Sequence, residues 1–492
     1  MNNSKFRKEK LIRINGRENV SNIINPVTGD FLYIYTPMIL VTGGTGLVGS
    51  HLLYHLLIRG ERVRAVHRPG TSPDQVRKVF GYYEHPFGEE NASGVNSRSL
   101  KNHSLGISNP SGEENRASSN LRQSSAAPGR SSDNPAEPKD EITEDETGKS
   151  GPGNTEISSH VGQAGQSGQA HESGKNLSGI SSGKPGSRAP GVTAASTRSS
   201  DGLALTPDEL FNQIEWFPAD MLDPWSMNEA MEGIEKVYHC AANVSFDPSE
   251  RRDTIHNNIE ITATIVNLCL SHNVKKLCHV SSVAALGTRY DGQPVTEDDL
   301  WKPSKRRHAY SIGKFHSEME VWRGISEGLN AVIVNPSVIL GPGNWKRGSA
   351  GFFTRIKKGL KYYTEGMTGF VDVRDVCRCM IGLMESDISE ERFIINGEDI
   401  YYRDLFNMIA DALGAPRPDI HATKTLAEMG WRLEWLRSKL TLSKPLLTRD
   451  TARSGRGVSR YSSNKIKEVL GHQFIPIKDT VAWTAAMYLS GI

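Results

Sequence analysis

The sequence predicts an α/β fold, a doubly wound parallel sheet with a smaller C-terminal part, and two observations lead to this. Short apolar strand signals alternate with helix signals along much of the chain, and a glycine-rich turn joins the first clear strand to the first helix. Such alternation is typical of parallel sheets, because each crossover between parallel strands needs a helix.

The predicted elements begin at Met38. A helix is expected at Leu47–Leu57, and another begins near Ser72. Thr206-Pro-Asp-Glu has the residue types of a helix start, with Thr206 as the N-cap. The predicted strands are Met38–Val41, Arg62–Val66, Ile214–Phe217, Lys236–Cys240, Lys276–Val280 and Ala331–Val334.

Residues 88–205 interrupt this pattern. They are rich in Ser, Gly, Asn and Pro, and no aromatic residue lies between Phe87 and Phe211. Such a stretch buries too little apolar surface to offset its conformational entropy, so we predict a disordered low-complexity insertion. Residues 1–37 are predicted to be a flexible arm. Residues 38–87 and 206–340 then form the sheet domain, and 341–492 form mainly the C-terminal part.

The composition excludes several classes of protein. The 58 Lys and Arg against 56 Asp and Glu argue against a polybasic nucleic-acid binder. Five cysteines are too few for a disulfide scaffold, and their spacing predicts no metal site. No apolar run approaches the roughly 18 residues of a membrane span. The N-terminus lacks the apolar core of a secretory signal, so we expect a cytoplasmic protein.

A phosphate-binding turn is predicted directly after the first strand. Gly43 and Gly46 allow a tight turn and a close approach to a pyrophosphate, and Gly49 lets the helix pack on the strand. The helix then presents its first amides, near Leu47 and Val48, to the phosphates. The context of strand, turn and helix predicts a Rossmann-type dinucleotide site.

The end of the second strand bears on the choice of dinucleotide. An acid at this place usually holds the ribose hydroxyls of NAD, but the sequence has His67 and Arg68. A guanidinium suits a 2′-phosphate, which favours NADP(H) and leaves NAD(H) as the other choice. The alternative for Arg68 is a solvated surface arginine. Asp220, followed by Met221, is either a partner of the adenine or a turn-capping aspartate.

Tyr310 and Lys314 are the candidates for proton transfer. They are four residues apart, so they share one helix face. A lysine one turn away is expected to lower the pKa of the tyrosine from its usual value of about 10. Ser281 and Ser282 follow the Lys276–Val280 strand, where a hydroxyl could polarise a carbonyl group lying against a nicotinamide.

These motifs together resemble a known family. The chain is similar to extended short-chain dehydrogenases/reductases of the NAD-dependent epimerase/dehydratase family, and most similar to the dihydroflavonol and cinnamoyl-CoA reductase branch. The motifs that carry the resemblance are TGGTGLVG (42–49), HCAANVSF (239–246), VSSVAALG (280–287), YSIGK (310–314), NPSVILGPG (335–343) and FVDVRDV (370–376).

The resemblance implies roles for individual residues. Ser282 would orient the carbonyl, Tyr310 would be the acid/base, and Lys314 would hold the nicotinamide ribose. The resemblance also implies that members of the family pair through two helices, one of which bears the tyrosine, so we expect a homodimer. The remaining cofactor contacts or supports that it implies are Ala241, Ala242, Asn258, Pro336 and Ser337.

The expected function is reduction of a ketone or aldehyde with NADPH, and the partner is a small molecule. A nucleotide-sugar epimerase with tightly bound NAD is an alternative that Arg68 disfavours. A dehydratase would need Thr-Asp-Glu near 282–284. A steroid-type dehydrogenase shares every motif. A non-catalytic scaffold typically lacks the tyrosine or the lysine, and both are present here.

The C-terminal part is expected to bind the substrate. An aromatic-lined pocket there would favour an apolar or aromatic carbonyl compound, although such residues are as often part of a core. Arg347, Lys357 and Lys358 are alternatively placed to bind a diphosphate. The aromatic candidates are Trp345, Phe352, Phe353, Tyr362, Tyr363 and Phe370.

Overall fold

The computed structural model describes residues 21–24, 31–34, 37–84, 205–243, 250–304, 307–441 and 455–491, which all belong to one structural unit. The strands are β1 Ser21–Ile24, β2 Phe31–Ile34, β3 Met38–Thr42, β4 Arg62–His67, β5 Glu215–Pro218, β6 Ile234–His239, β7 Lys276–Val280, β8 Ala331–Pro336, β9 Val338–Leu340, β10 Tyr362–Tyr363, β11 Met367–Asp372, β12 Glu391–Ile395, β13 Glu398–Tyr401 and β14 Ile420–His421. The helices are α1 Leu47–Leu57, α2 Asp74–Gly81, α3 Pro207–Asn212, α4 Pro224–Ala230, α5 Arg251–Ser271, α6 Ala309–Ser326, α7 Ala350–Lys357, α8 Val373–Glu385, α9 Tyr402–Leu413, α10 Lys424–Thr441, α11 Asn464–Leu470 and α12 Ile477–Ser490.

A seven-stranded sheet forms the centre of the unit, in the order β12-β8-β7-β6-β3-β4-β5. Each pair of neighbours in it is parallel. The chain proceeds outward from β3 through β4 and β5, and then outward in the other direction from β6. Ligands of such sheets bind beyond the carboxyl ends of the strands where the order reverses, here between β3 and β6. The predicted fold class is confirmed.

Helices cover both faces of this sheet, which explains why its central strands are mainly apolar. Every residue of β3, β7 and β8 is buried. One face packs against α1 and α8, where Leu52 and Met380 belong to a single apolar cluster. The other face packs against α5 and α6, where Val266 and Val321 meet. Strands buried on both faces lack the alternation of half-exposed strands.

The C-terminal part adds a smaller sheet that the sequence patterns did not predict. Its order is β13-β11-β9, with β11 parallel to β9 and antiparallel to β13. Phe370 of this sheet, Leu405 of α9 and Val481 of α12 lie in a separate apolar core. Since β9 follows β8 after one residue, Ser337, this sheet begins at the carboxyl edge of the central sheet.

The predicted insertion at 88–205 lies outside the described residues, except for Leu205. The predicted arm at 1–37 does so except for β1, β2 and Pro37, and β1 and β2 pair antiparallel. The predicted helix start at Thr206 is confirmed. Its hydroxyl oxygen accepts a hydrogen bond from the Glu209 amide, and the Glu209 carboxylate accepts one from the Thr206 amide.

The helices on either side of the insertion contact each other. Arg77 of α2 forms an ion pair of 2.6 Å with Asp208 of α3, and its guanidinium lies 4.4 Å from the centre of the Phe211 ring. Phe80 and Leu210 are buried in the same apolar cluster. The two parts of the crossover between β4 and β5 therefore join into one packed layer.

Among the described residues, no helix is both long and apolar enough to cross a membrane. The same part of the chain has no group of three His, Cys, Asp or Glu side chains arranged to hold a metal ion.

Candidate active site

The three predicted reactive side chains converge at the carboxyl end of β7. Ser282 follows the strand by two residues and caps a short 3₁₀ turn at Val283–Ala285. Tyr310 and Lys314 lie in the first two turns of α6, and the hydroxyls of Ser282 and Tyr310 share a hydrogen bond. The Lys314 Nζ donates a hydrogen bond of 2.7 Å to the Val280 carbonyl oxygen. The strand and the helix thus bring all three groups to one point.

The pKa of Tyr310 shifts in the direction opposite to our prediction. Burial raises this pKa above its usual value, and the hydrogen bond with Ser282 opposes that change. The prediction that Lys314 lowers the pKa of Tyr310 was wrong for the protein without ligand. Burial favours the neutral phenol, and the Lys314 ammonium group is directed to the Val280 carbonyl oxygen. Tyr310 is therefore protonated at neutral pH, as a proton donor must be.

Lys314 is a buried cation with a perturbed pKa. Burial lowers its pKa to about 8, while Cys240 and Glu318 act in the other direction. At neutral pH the lysine is still mainly protonated, and it can donate hydrogen bonds. A buried lysine of this kind is typical of functional sites.

Glu318 organises the backbone around the serines, and the sequence interpretation missed it. Its carboxylate is buried and accepts a hydrogen bond of 2.6 Å from the Ser281 hydroxyl and one of 2.8 Å from the Asn335 amide. The same Asn335 amide also donates to the Ser282 carbonyl oxygen at 3.0 Å, and Arg392 forms an ion pair of 3.0 Å with Glu318. The available signal was its spacing, four residues after Lys314 on the same helix face.

The glycine-rich turn packs so closely against its neighbours that positions 43 and 49 have no room for a side chain. Gly43 has a φ of +69°, and a Cβ there would lie 2.7 Å from the Ala241 Cα. A Cβ on Gly49 would overlap the Gly43 carbonyl and lie 2.9 Å from the Gly44 Cα. Gly46 is the N-cap of α1, so no side chain caps this helix, and no acid lies in its first turn. The free amides at Leu47 and Val48 fit a pyrophosphate group.

The segment after β6 is held beside this turn. The Asn258 side chain accepts a hydrogen bond of 2.6 Å from the Asn243 amide and donates one of 2.9 Å to the Asn243 carbonyl oxygen. Ala241 is buried, while Ala242 keeps partial contact with solvent. The geometry agrees with the supporting place that the resemblance implied for Asn258.

Two buried histidine contacts tie the strand ends together. His239 Nδ1 lies 2.7 Å from the Thr42 hydroxyl at the end of β3, and Nε2 lies 3.1 Å from the Thr262 hydroxyl of α5. Burial lowers the pKa of His239 to about 3, so its imidazole is neutral. The carboxyl ends of β3 and β6 are thereby fixed where the strand order reverses.

The other residues expected at the dinucleotide lie at neighbouring strand ends. Arg68 is exposed directly after β4, and its guanidinium has no ion-pair partner in the described parts of the chain. Asp220 is also exposed, and its carboxylate accepts a hydrogen bond from the Leu222 amide, as a turn-capping aspartate does. Met221 packs at the edge of an apolar cluster.

Pro336 ends β8 at the same edge of the sheet, and Ser337 follows it directly. The Ser337 amide donates a hydrogen bond of 3.0 Å to the Ile395 carbonyl oxygen. The Ser337 hydroxyl is buried, and no group within the described residues hydrogen-bonds to it. A buried hydroxyl of this kind can serve a polar ligand group.

The predicted substrate residues divide between core and surface. Phe353 and Phe370 are fully buried in the C-terminal core, whereas Tyr362 is exposed. Lys357 donates a hydrogen bond of 2.8 Å to the Leu413 carbonyl oxygen, so it is engaged in the fold. These contacts disfavour the interpretation that Lys357 binds a diphosphate.

Comparison with known proteins places the chain in a family. The model of the NAD dependent epimerase/dehydratase family matches residues 39–84 and 185–396, which is more than half of the chain. The chain belongs to the NAD dependent epimerase/dehydratase family. This confirms the family that the motifs indicated and the predicted class of NAD(P)-dependent enzyme.

Relatives of this epimerase/dehydratase family member include reductases. It is 29% identical to sterol demethylase protein B of Methylococcus capsulatus over 231 residues, 46% of this chain and 68% of that protein. It is 26% identical to cinnamoyl-CoA reductase 1 of Petunia hybrida over 195 residues, 38% of this chain and 57% of the reductase. The chain therefore spans little more than half the length of the reductase.

Solved structures of family enzymes share the fold. The UDP-glucose 4-epimerase of Thermotoga maritima superposes with a TM-score of 0.54 at 16% identity, covering 92% of this chain and 99% of the epimerase. At this identity the likeness concerns the fold alone, so the reaction has to be argued from the site.

Proposed function

We propose that this family member reduces a ketone or aldehyde to an alcohol with NADPH. The observation that carries the proposal is the hydrogen bond between Ser282 and Tyr310, with Lys314 one turn away on the same helix. These groups stand at the carboxyl edge of the sheet, next to the strand-order reversal where a dinucleotide binds. The cinnamoyl-CoA reductases among its relatives support a reductase.

The residues would divide the work as follows. When bound, the dinucleotide supplies the hydride. Ser282 donates a hydrogen bond to the carbonyl oxygen, which orients the substrate and stabilises the negative charge that develops there. Tyr310 gives its phenolic proton to the same oxygen, which suits a phenol that burial keeps protonated. Lys314 holds the nicotinamide ribose and keeps positive charge near the phenol.

A substrate panel tests the proposal. Purified protein is given NADPH or NADH with aromatic aldehydes, ketones and flavanonols, and with a nucleotide-sugar set in parallel. We expect consumption of NADPH with at least one carbonyl compound. Tightly held NAD, no net cofactor consumption and interconversion of a sugar nucleotide would instead support an epimerase.

Substitution of Arg68 tests the preference for NADPH. Because Arg68 is exposed at the end of β4 and has no ion pair in the described parts of the chain, its guanidinium is available to a 2′-phosphate. Loss of a charge-assisted pair of this kind costs about 1.5–3 kcal/mol, so Arg68→Gln should weaken NADPH binding roughly 10- to 100-fold. NADH, which lacks the phosphate, is the internal control. Equal losses for both dinucleotides would contradict the assignment.

Activity should depend on the protonation of Lys314. Its pKa is lowered to about 8, so the ammonium group loses its proton as the pH rises through this value. We expect kcat/KM for reduction to fall above about pH 8. Lys314→Arg keeps the charge at high pH, because a guanidinium does not titrate in this range. A falling limb that stays at the same pH in the Lys314→Arg protein would assign it to another group.

A further inference from the structure

A partly buried guanidinium lies next to the catalytic helix without an acid to balance it. Arg307 precedes α6 by two residues and is half-buried. Among the described residues, no acidic side chain pairs with it. Burial lowers its pKa, and only the hydroxyl groups of Tyr290 and Tyr461 act in the other direction. A desolvated cation costs free energy unless an anion accompanies it, and the described part of the chain does not supply one.

The guanidinium rests on a fixed aromatic surface. It lies 5.2 Å from the centre of the Trp301 ring, a cation–π contact. Trp301 is itself held in place. Its ring stacks on the Phe315 ring, with 4.3 Å between the ring centres, and its indole N–H donates a hydrogen bond of 3.1 Å to the Ser311 hydroxyl. Arg307 is therefore presented in a defined position rather than as a free surface chain.

This position adjoins the reactive hydroxyls. Ser311, which accepts the hydrogen bond from Trp301, is the neighbour of Tyr310 and donates to the Ala284 carbonyl oxygen at 2.7 Å. Tyr461, which acts electrostatically on Arg307, packs against the same small apolar cluster as Val283, the residue after Ser282. The first turn of α6 has no acid, so its amides add to the positive potential.

We propose that Arg307 binds a carboxylate or phosphate group on the carbonyl substrate. The proposal rests on the proposed function, and it narrows the substrate class to anionic carbonyl compounds. A guanidinium offers two parallel N–H donors, which match the oxygen pairs of both groups.

Two compounds of the same shape test this inference. 4-Formylbenzoate carries the anion, and 4-formylbenzamide replaces it with a neutral amide. Calorimetry on the protein saturated with NADP⁺ should show tighter binding of the benzoate. Arg307→Gln should weaken benzoate binding about tenfold and leave the benzamide unchanged. Equal affinities in the unaltered protein, or no detectable binding of the benzoate, would overturn the proposal.

A second variant distinguishes a direct contact with Arg307 from a general effect of positive charge near Trp301. Lys302→Gln removes an exposed charge next to Trp301 and should leave benzoate binding unchanged. An equal loss in both variants would overturn the assignment to Arg307. Turnover of the two aldehydes is measured separately. If the benzoate binds through Arg307 but neither these aldehydes nor any carbonyl compound of the panel is reduced, the reductase proposal fails while the anion site stands.

Discussion

Tyr310→Phe is expected to abolish most turnover while leaving cofactor binding intact. The substitution removes one oxygen and keeps the ring, so α6 and its packing are preserved. It removes the proton donor and the partner of the Ser282 hydroxyl, and a positioned acid of this kind contributes roughly 10²- to 10⁴-fold to a rate. The measurement is kcat with the best carbonyl substrate, alongside NADPH binding by fluorescence.

A matched variant makes the Tyr310 result specific. Tyr488→Phe removes a phenolic oxygen from α12, which packs on the C-terminal core. It should leave both turnover and binding unchanged. A Tyr310→Phe protein with near-normal turnover would contradict the assignment of the proton donor. Loss of NADPH binding in that protein would instead indicate a structural role for the hydroxyl.

Glu318→Ala is expected to lower the free energy of unfolding by about 3–5 kcal/mol, because the substitution leaves a buried cation uncompensated. The carboxylate side chain is 1% exposed, and that of its partner Arg392 is 13% exposed. The Ser281 hydroxyl and the Asn335 amide would lose an acceptor as well. Urea unfolding followed by circular dichroism measures the change.

Removal of Glu318 should lower the free energy of unfolding more than removal of a surface acid on the same helix. Glu320 lies on α6 and pairs with Arg323 near the surface, and such a pair contributes at most about 1 kcal/mol. Glu320→Ala is therefore the control. Glu318→Gln keeps the shape of the side chain and part of its hydrogen bonding. Its loss of unfolding free energy should therefore lie between those of Glu318→Ala and Glu320→Ala. Equal losses for Glu318→Ala and Glu320→Ala would show that the buried network contributes little.

The central sheet could be predicted from the sequence because its signals are local. The Leu47–Leu57 helix and the Lys276–Val280 strand have the predicted bounds, and β3 extends one residue further. A strand buried on both faces shows itself as an apolar run, and the glycine-rich turn marks the start of its helix. These features need no knowledge of the rest of the chain.

The smaller sheet and the electrostatics of the site could not be predicted in this way. β9 is three residues long and pairs with β11, about thirty residues later, so its identity depends on a distant partner. The pKa of Tyr310 likewise depends on burial, which only the assembled fold determines. Spacing placed Lys314 beside the tyrosine but did not show that its ammonium group is directed to Val280.

The contact between α2 and α3 bears on how a long insertion could arise at this place during evolution. Arg77, Asp208 and Phe211 bring the two halves of the crossover together, so the helices that flank the intervening segment in the chain are held near each other by the fold itself. The entropic free-energy cost of closing a loop rises only with the logarithm of the loop length, by about 0.6 kcal/mol for each doubling. Sequence could therefore accumulate at this point over evolution at little thermodynamic cost to the enzyme around it.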